Sequence, residues 1–266
     1  MKPCLYCKGF RNAKIQKKVV SLQFQISFFV QTPKTENTQS MFNAIAHSYN
    51  RLNHLLSVGA DRCWRRRSLK RFVNKDYPQE ILDLACGTGD YSIAIARRAH
   101  PDTKVTGVDL SEGMLEVMRS KVKAAGLEQR ITAEVGNGEH LRFADNSFDC
   151  VAIAFGIRNF EHREQALTEI LRVLKPDGRL VILELSVPAS PVLRWCYNLY
   201  FAKVLPWIGG RISGEKEAYR YLPESVLAFP GKKEWMSTMQ KCGYSGVCHK
   251  PFTLGICRMY IGEKRI

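Results

Sequence analysis

The chain has 266 residues and a mass of 30.3 kDa, enough for one large α/β domain and too little for two full enzyme domains. With 45% apolar, 24% charged and 10% aromatic residues, it cannot belong to the disordered, collagen-like or disulfide-scaffold classes. Its formal charge of +15 is uneven: residues 1–79 carry 15 Lys and Arg against three acids (Glu36, Asp61, Asp76), a net of +12, and the rest carry +3. Such a segment can face nucleic acid, an anionic membrane surface, an acidic partner or plain solvent, and its sign does not choose among them.

The nine cysteines include several inside apolar runs (Cys86, Cys150, Cys196, Cys257), which suits a reducing compartment and predicts a cytoplasmic protein. Cys4 and Cys7 form a C-x-x-C without a second pair at zinc spacing, so no metal is expected. No window reaches the roughly 18 consecutive apolar residues of a membrane span.

In chain order, residues 1–38 form a basic extension of open role, disordered or dispensable, in which Val19 to Val30 alternates apolar and polar as a strand would. A domain over 39–266 follows, beginning with helices within 41–75. Phe42, Ile45, Tyr49, Leu52 and Leu56 recur at helical spacing; Gly59 interrupts them, and a second helix bears Arg62, Arg65, Arg66, Arg67, Lys70 and Arg71 opposite Trp64, Leu69 and Phe72. From Glu80, short apolar runs predict strands at Ile81–Ala85, Lys104–Asp109, Ile131–Val135, Asp149–Ala154 and Arg179–Leu185, with helices near 90–99, 112–124 and 163–174. That alternation implies parallel βαβ units in a doubly wound sheet. Lys175-Pro176-Asp177-Gly178 reads as a turn. Residues 188–230, rich in aromatics and without a clean period, read as an inserted loop or lid. A helix at 232–242 and two strands near Ser245–His249 and Leu254–Ile261, joined by a proline-containing turn, predict a hairpin at the sheet edge.

Asp83-Leu84-Ala85-Cys86-Gly87-Thr88-Gly89-Asp90 falls where the first strand meets the first crossover helix, the usual crevice for a nucleotide-like ligand. The third glycine of a dinucleotide fingerprint would fall at Ser92, which disfavours nicotinamide and flavin cofactors. Between Asp76 and Ala96 there is no Lys or Arg, whereas Asp76, Glu80, Asp83 and Asp90 are present, so the loop suits a ligand bearing an ammonium and a sulfonium better than a phosphate. Asp109, 20 residues after Gly89, can accept hydrogen bonds from ribose hydroxyls. S-adenosylmethionine fits, with Asp83, Gly87, Gly89 and Asp109 as candidate cofactor residues.

Further motifs are Met41-Phe42-Asn43-Ala44-Ile45-Ala46 with Tyr49 and Asn53, Asp145-Asn146-Ser147-Phe148-Asp149, Ala154-Phe155-Gly156-Ile157-Arg158-Asn159, Arg172-Val173-Leu174-Lys175-Pro176, and Tyr219-Arg220-Tyr221-Leu222-Pro223-Glu224-Ser225. With the glycine loop, these segments over about Ser40 to Lys264 resemble the C-methyltransferases of ubiquinone and menaquinone biosynthesis. The resemblance implies a class I, Rossmann-like methyltransferase fold with a seven-stranded, mostly parallel sheet. It also implies cofactor contacts from Thr88, Asp109, Asn137 and Gly138, the last two near the adenine. Many members have Asp-Ala or Asn-Ala where this chain has Asn137-Gly138, and a second Gly where it has Asp177.

The implied reaction is C-methylation of a prenylated hydroquinone. Phe252-Thr253-Leu254-Gly255-Ile256 and Tyr221-Leu222-Pro223-Glu224-Ser225 look more like the menaquinone branch, so demethylmenaquinol is the expected acceptor and a methoxy-prenylbenzoquinol the alternative. Arg158 is the candidate for stabilising the acceptor oxygen, against a structural pairing with Asp149 or Glu161. Tyr49 and Asn53, one helical turn apart, are candidates for positioning the ring; His47 and His54 have pKa values suited to a base but fit surface positions. The expected partners are the quinol and, peripherally, the anionic inner face of a membrane, with a homodimer compatible. Nucleic acid is not expected: an Asn/Asp-Pro-Pro-aromatic motif of base-amine methylation is replaced by Ala154-Phe155-Gly156, and the only Pro-Cys, Pro3-Cys4, lies outside the core. An RNA methyltransferase or a non-catalytic cofactor-binding protein are the rival classes.

Overall fold

The structure, a computed structural model, describes residues 39–40, 42–43, 46, 57, 59–200 and 216–265, all within the unit Lys34–Ile266. Helix α1 (Ala60–Leu69) precedes β1 (Glu80–Leu84), α2 (Asp90–Arg98), β2 (Lys104–Asp109), α3 (Glu112–Ala124) and β3 (Ile131–Val135). Then come β4 (Phe148–Ala154), α4 (Arg163–Val173), β5 (Leu174–Leu185), α5 (Pro191–Leu199), α6 (Lys216–Ala228), α7 (Lys232–Lys241), β6 (Ser245–Phe252) and β7 (Cys257–Glu263).

The seven strands lie in the order β3-β2-β1-β4-β5-β7-β6. β1 to β5 are parallel, and β7 runs antiparallel to both β5 and β6. The central strands are buried on both faces, as parallel strands covered by helices must be, and their alternation sorts side chains into two cores. Ile81, Val181 and Leu183 join Trp64, Ile95, Leu115 and Met118 on one face. Leu82, Leu84, Leu180 and Ile182 join Leu167, Ile170, Trp235 and Met239 on the other.

The predicted strands and crossover helices are present, most within a residue of their expected bounds, and three local expectations are corrected. The Lys175–Gly178 turn lies inside β5 as a bulge: the pairing with β4 shifts register between Phe148 and Cys150, and Asp177 takes a left-handed φ of 62°. Residues 188–230 are not simply a loop, since α5 and α6 fall within them; Pro223, inside α6, masks the helical signal. The C-terminal strands are joined by Thr253–Gly255, with Thr253 and Leu254 at positive φ, and Pro251 sits within β6, an edge strand where its missing N–H is tolerated. Residues 1–38, including the alternating run from Val19, lie outside the described residues.

Candidate active site

The C-terminal ends of the strands open into a cleft lined by the loops after β1, β2 and β4, the place where an open α/β sheet takes its ligand. It lies between β1 and β4, where the winding of the sheet reverses. Ala85 after β1 and Phe155 after β4 face this point with left-handed φ of 54° and 65°. Such backbone costs about 1–3 kcal/mol per non-glycine residue and persists only where neighbours hold it. Phe155 is held at both ends: its N–H donates to the Leu183 carbonyl at 2.8 Å, and its own carbonyl accepts from Arg158 Nη1.

Asp109 organises the opposite wall. Its Oδ2 accepts the Gly87 N–H at 2.8 Å and its Oδ1 the Ser111 N–H at 2.9 Å. Burial pushes its pKa above the ordinary carboxylate value, and these backbone hydrogen bonds oppose that shift. Each oxygen keeps a second lone pair for a ligand hydroxyl. At Gly87, φ is 55°, and a Cβ would meet no atom within 4 Å, so the loop presents bare backbone to the cleft. At Gly89, the N-cap of α2, a Cβ would stand 2.5 Å from Met118 Cγ, which fixes this position as glycine for packing.

Of the sequence candidates, Gly87, Asp109, Asn137 and Gly138 line the cleft. Asp83, Thr88 and Gly89 are buried behind its wall. Tyr49 and Asn53, with His47 and His54, lie outside the described residues. The acidic character read from 76–96 also has a different source: Glu80 begins β1 at the far end from the cleft and Asp90 is ion-paired with Lys121. The cleft carboxylates are Asp109 and Glu139, with no Lys or Arg among the described lining residues. Glu139 is in turn tied to the N–H groups of Glu161 and His162. A cationic ligand that carries ribose hydroxyls and no phosphate fits this donor set, and S-adenosylmethionine is such a ligand.

Asp83 is fully buried, with Oδ2 accepting from Ser92 Oγ at 2.5 Å and Oδ1 lacking a hydrogen-bond partner among the described residues. Burial pushes its pKa up to about 7. The folded carboxyl therefore keeps its proton to higher pH than the unfolded one, so this group's contribution to stability falls as pH rises from about 4 to 7, by up to about 4 kcal/mol, and is flat above. Asp83→Asn keeps an acceptor for Ser92 and removes the titration. Urea melts are expected to show the variant gaining on the parent between pH 4 and 8; a difference independent of pH contradicts this assignment.

Arg158 takes neither of its expected partners. Asp149 is engaged by Lys175 and by the Glu80 N–H. Arg158, 6% exposed, pairs instead with the fully buried Glu184 on β5, Nη1 to Oε1 at 2.9 Å, while Nε reaches Ser225 Oγ at 3.3 Å. Arg258 is the cross-strand partner of Glu184 on β7, and the Glu184 charge also acts on Arg163. Two cleft features escaped the sequence reading. Asn159 accepts a hydrogen bond from Tyr221 Oη at 2.8 Å, and Tyr221 packs edge-on against Phe42, which lines the cleft. Asn43 Oδ1 accepts from Ser111 Oγ at 2.5 Å and the Gly113 N–H at 3.2 Å, docking the N-terminal segment beside Asp109. Both lie in motifs already singled out, yet their partners are some 60 to 70 residues away in sequence.

The chain matches the model of the ubiE/COQ5 methyltransferase family over residues 30–264. It is 45% identical over 240 residues to the ubiquinone/menaquinone biosynthesis C-methyltransferase UbiE of Geobacter sulfurreducens, covering 90% of this chain and 93% of that one. It is 41% identical to the demethylmenaquinone methyltransferase of Bacteroides fragilis over 87% of this chain and 94% of that one. Among solved structures, a SAM-dependent methyltransferase from Aquifex aeolicus shares the fold at a TM-score of 0.55 and 18% identity, over 75% of this chain and 89% of that one.

Proposed function

This chain belongs to the ubiE/COQ5 methyltransferase family, and from that membership we propose that it moves the methyl group of S-adenosylmethionine onto a ring carbon of a prenylated hydroquinone, demethylmenaquinol, in menaquinone biosynthesis. The observation that carries this reading is the cleft at the strand reversal, walled by Asp109 and Glu139 and without a cation among its described lining residues. Relatives named demethylmenaquinone methyltransferase, and the Phe252–Ile256 and Tyr221–Ser225 segments, favour the naphthoquinol.

When bound, the cofactor supplies an electrophilic methyl on a cationic sulfur. Asp109 would accept the ribose hydroxyls, Asn137 and Gly138 would hold the adenine, and the Ala85–Gly87 backbone would take the amino-acid end. The acceptor carbon becomes nucleophilic once a neighbouring hydroxyl is deprotonated. The net reaction replaces one ring C–H by C–CH3 and releases one proton. Arg158, bonded to the Phe155 carbonyl at the cleft and held there by Glu184, would be the cation that lowers the cost of the phenolate-like state. Arg holds its proton too tightly to serve as the base itself. Tyr49 and Asn53 position the ring, and Phe42, Tyr221 and Asn159 close the cleft against water. The apolar tail of the acceptor brings the enzyme into peripheral contact with the inner membrane face. No helix among the described residues is long and apolar enough to cross it.

The test is incubation of the protein with labelled S-adenosylmethionine and, separately, reduced short-tail demethylnaphthoquinone, reduced methoxy-prenylbenzoquinone and bulk RNA. Label is expected in the naphthoquinol. Label in the benzoquinol alone would move the enzyme to the ubiquinone branch, and label in RNA alone would refute the quinol reading.

A further inference from the structure

The loops that follow β3 and β4 are locked together along one wall of the cleft. Asn137 to His140 form a tight turn: the His140 N–H donates to the Asn137 carbonyl at 3.1 Å, and the Glu139 N–H donates to Asn137 Oδ1 at 2.9 Å. Glu139 then reaches the other loop. Its Oε1 accepts the N–H groups of Glu161 and His162 at 2.9 and 3.0 Å, while Gln165 Nε2 donates to the Glu139 carbonyl at 3.2 Å. Gly138 and Phe160, one from each loop, meet beside these fixed points, and both line the cleft. Gly138 is buried and Phe160 half-buried.

A Cβ on Gly138 would stand 2.7 Å from Phe160 Cε2, 2.9 Å from its Cζ and 3.1 Å from Leu84 Cδ2, closer than carbon atoms pack, so the ring rests directly on bare backbone. Gly138 lies outside the left-handed region, so its backbone would accept alanine and only these side chains stand in the way. Two residues earlier the same device recurs: a Cβ on Gly136 would meet Val108 Cγ1 at 2.9 Å. Val108 and Phe160 thus cover the two glycines that flank Asn137, and with Leu84 they give this part of the cleft apolar walls. Asn137, whose Oδ1 already serves the Glu139 N–H, keeps its two amide N–H donors and a second lone pair. Apolar walls around one neutral amide suit the flat base of the cofactor, which can stack on an aromatic ring, and suit none of its charged groups, which are costly to bury against carbon.

We infer that Phe160 is a cofactor-binding residue whose ring, seated on Gly138, forms one wall of the adenine slot. This role rests on the S-adenosylmethionine reading above and brings into the site a residue from the loop after β4, two positions beyond Arg158. Because Glu139 ties that loop to the Asn137–His140 turn, the base and Arg158 are held by one locked pair of loops.

The test is calorimetric titration of the full chain with S-adenosylhomocysteine and with S-ribosylhomocysteine, which lacks the base. Phe160→Leu should weaken S-adenosylhomocysteine binding about ten-fold, the scale of one base–aromatic stack, and leave S-ribosylhomocysteine binding unchanged. Gly138→Ala should bring a similar loss by unseating the ring, and it reads the same contact with Phe160 intact, free of any packing lost in Phe160→Leu. Joined to Phe160→Leu, it should cost little more, since the shorter side chain leaves room for the methyl. Equal losses for the two ligands would make Phe160 a support of its loop and not a wall of the slot. Additive losses from the two substitutions would separate Gly138 from the ring, and full S-adenosylhomocysteine binding by Phe160→Leu would remove the residue from the site; each of these outcomes overturns the inference. A parent chain that binds neither ligand would defeat the S-adenosylmethionine reading and this role together. S-adenosylhomocysteine binding with the expected Phe160→Leu loss, but without methylation of any quinol, would defeat the acceptor reading alone and leave Phe160 in the base site.

Discussion

Asp109→Ala is expected to raise the dissociation constant of S-adenosylmethionine by roughly 100-fold. The carboxylate ends β2 on the cleft wall, and hydrogen bonds to a charged group contribute about 1.5–3 kcal/mol, with about 1.4 kcal/mol per ten-fold in affinity. The substitution also frees the N–H groups of Gly87 and Ser111, so the loop that presents bare backbone loses its anchor. Asp109→Asn retains one acceptor oxygen and drops the charge, and should fall between parent and Ala. Calorimetric titration measures both. Unchanged affinity in Asp109→Ala would remove this residue from the cofactor site.

The second large effect is expected at Glu184. Its carboxylate is fully buried, accepts from Arg158 Nη1 and from the N–H groups of Arg158 and Leu185, and stands opposite Arg258 across the strands. Glu184→Ala leaves the Arg158 guanidinium buried without its counter-charge, a change that costs about 3–5 kcal/mol. For a domain of this size, Tm should drop by roughly 10 °C. Glu184→Gln keeps hydrogen-bonding capacity and should be milder in stability while still disturbing catalysis, because the cation that holds the strained Phe155 carbonyl is no longer fixed. Arg158→Ala combined with Glu184→Ala should cost less than the sum of the two single changes. Strict additivity would mean that the pair does not act as a unit.

The parts of this molecule that were legible in its sequence depend on local pattern. Ile81, Leu82, Leu84 and Val105 fall in short apolar runs broken by turn residues, and the crossover helices begin and end where polarity dictates, so five strands and their order along the chain could be placed. Gly87 and Asp109 could be assigned to the cleft because loop and strand end converge wherever a doubly wound sheet reverses. The Arg158–Glu184 pair could not be found this way: the partners are 26 residues apart on different elements, and nothing local distinguishes Glu184 from an exposed acid. The acidic loop shows the converse error. Asp90 counts as a negative charge in sequence, but Lys121, from α3, cancels it. Pro223 and the irregular aromatic spacing hid α5 and α6.

Methyl transfer to ring carbon, rather than to oxygen, is decided by the position of the label. S-adenosylmethionine carrying a 13C-methyl would be turned over with reduced short-tail demethylnaphthoquinone, and the extracted product examined by carbon NMR before and after oxidation. A single ring-bound methyl that survives oxidation to the quinone is expected. A methyl-ether resonance, lost when the oxygen is freed, would contradict it.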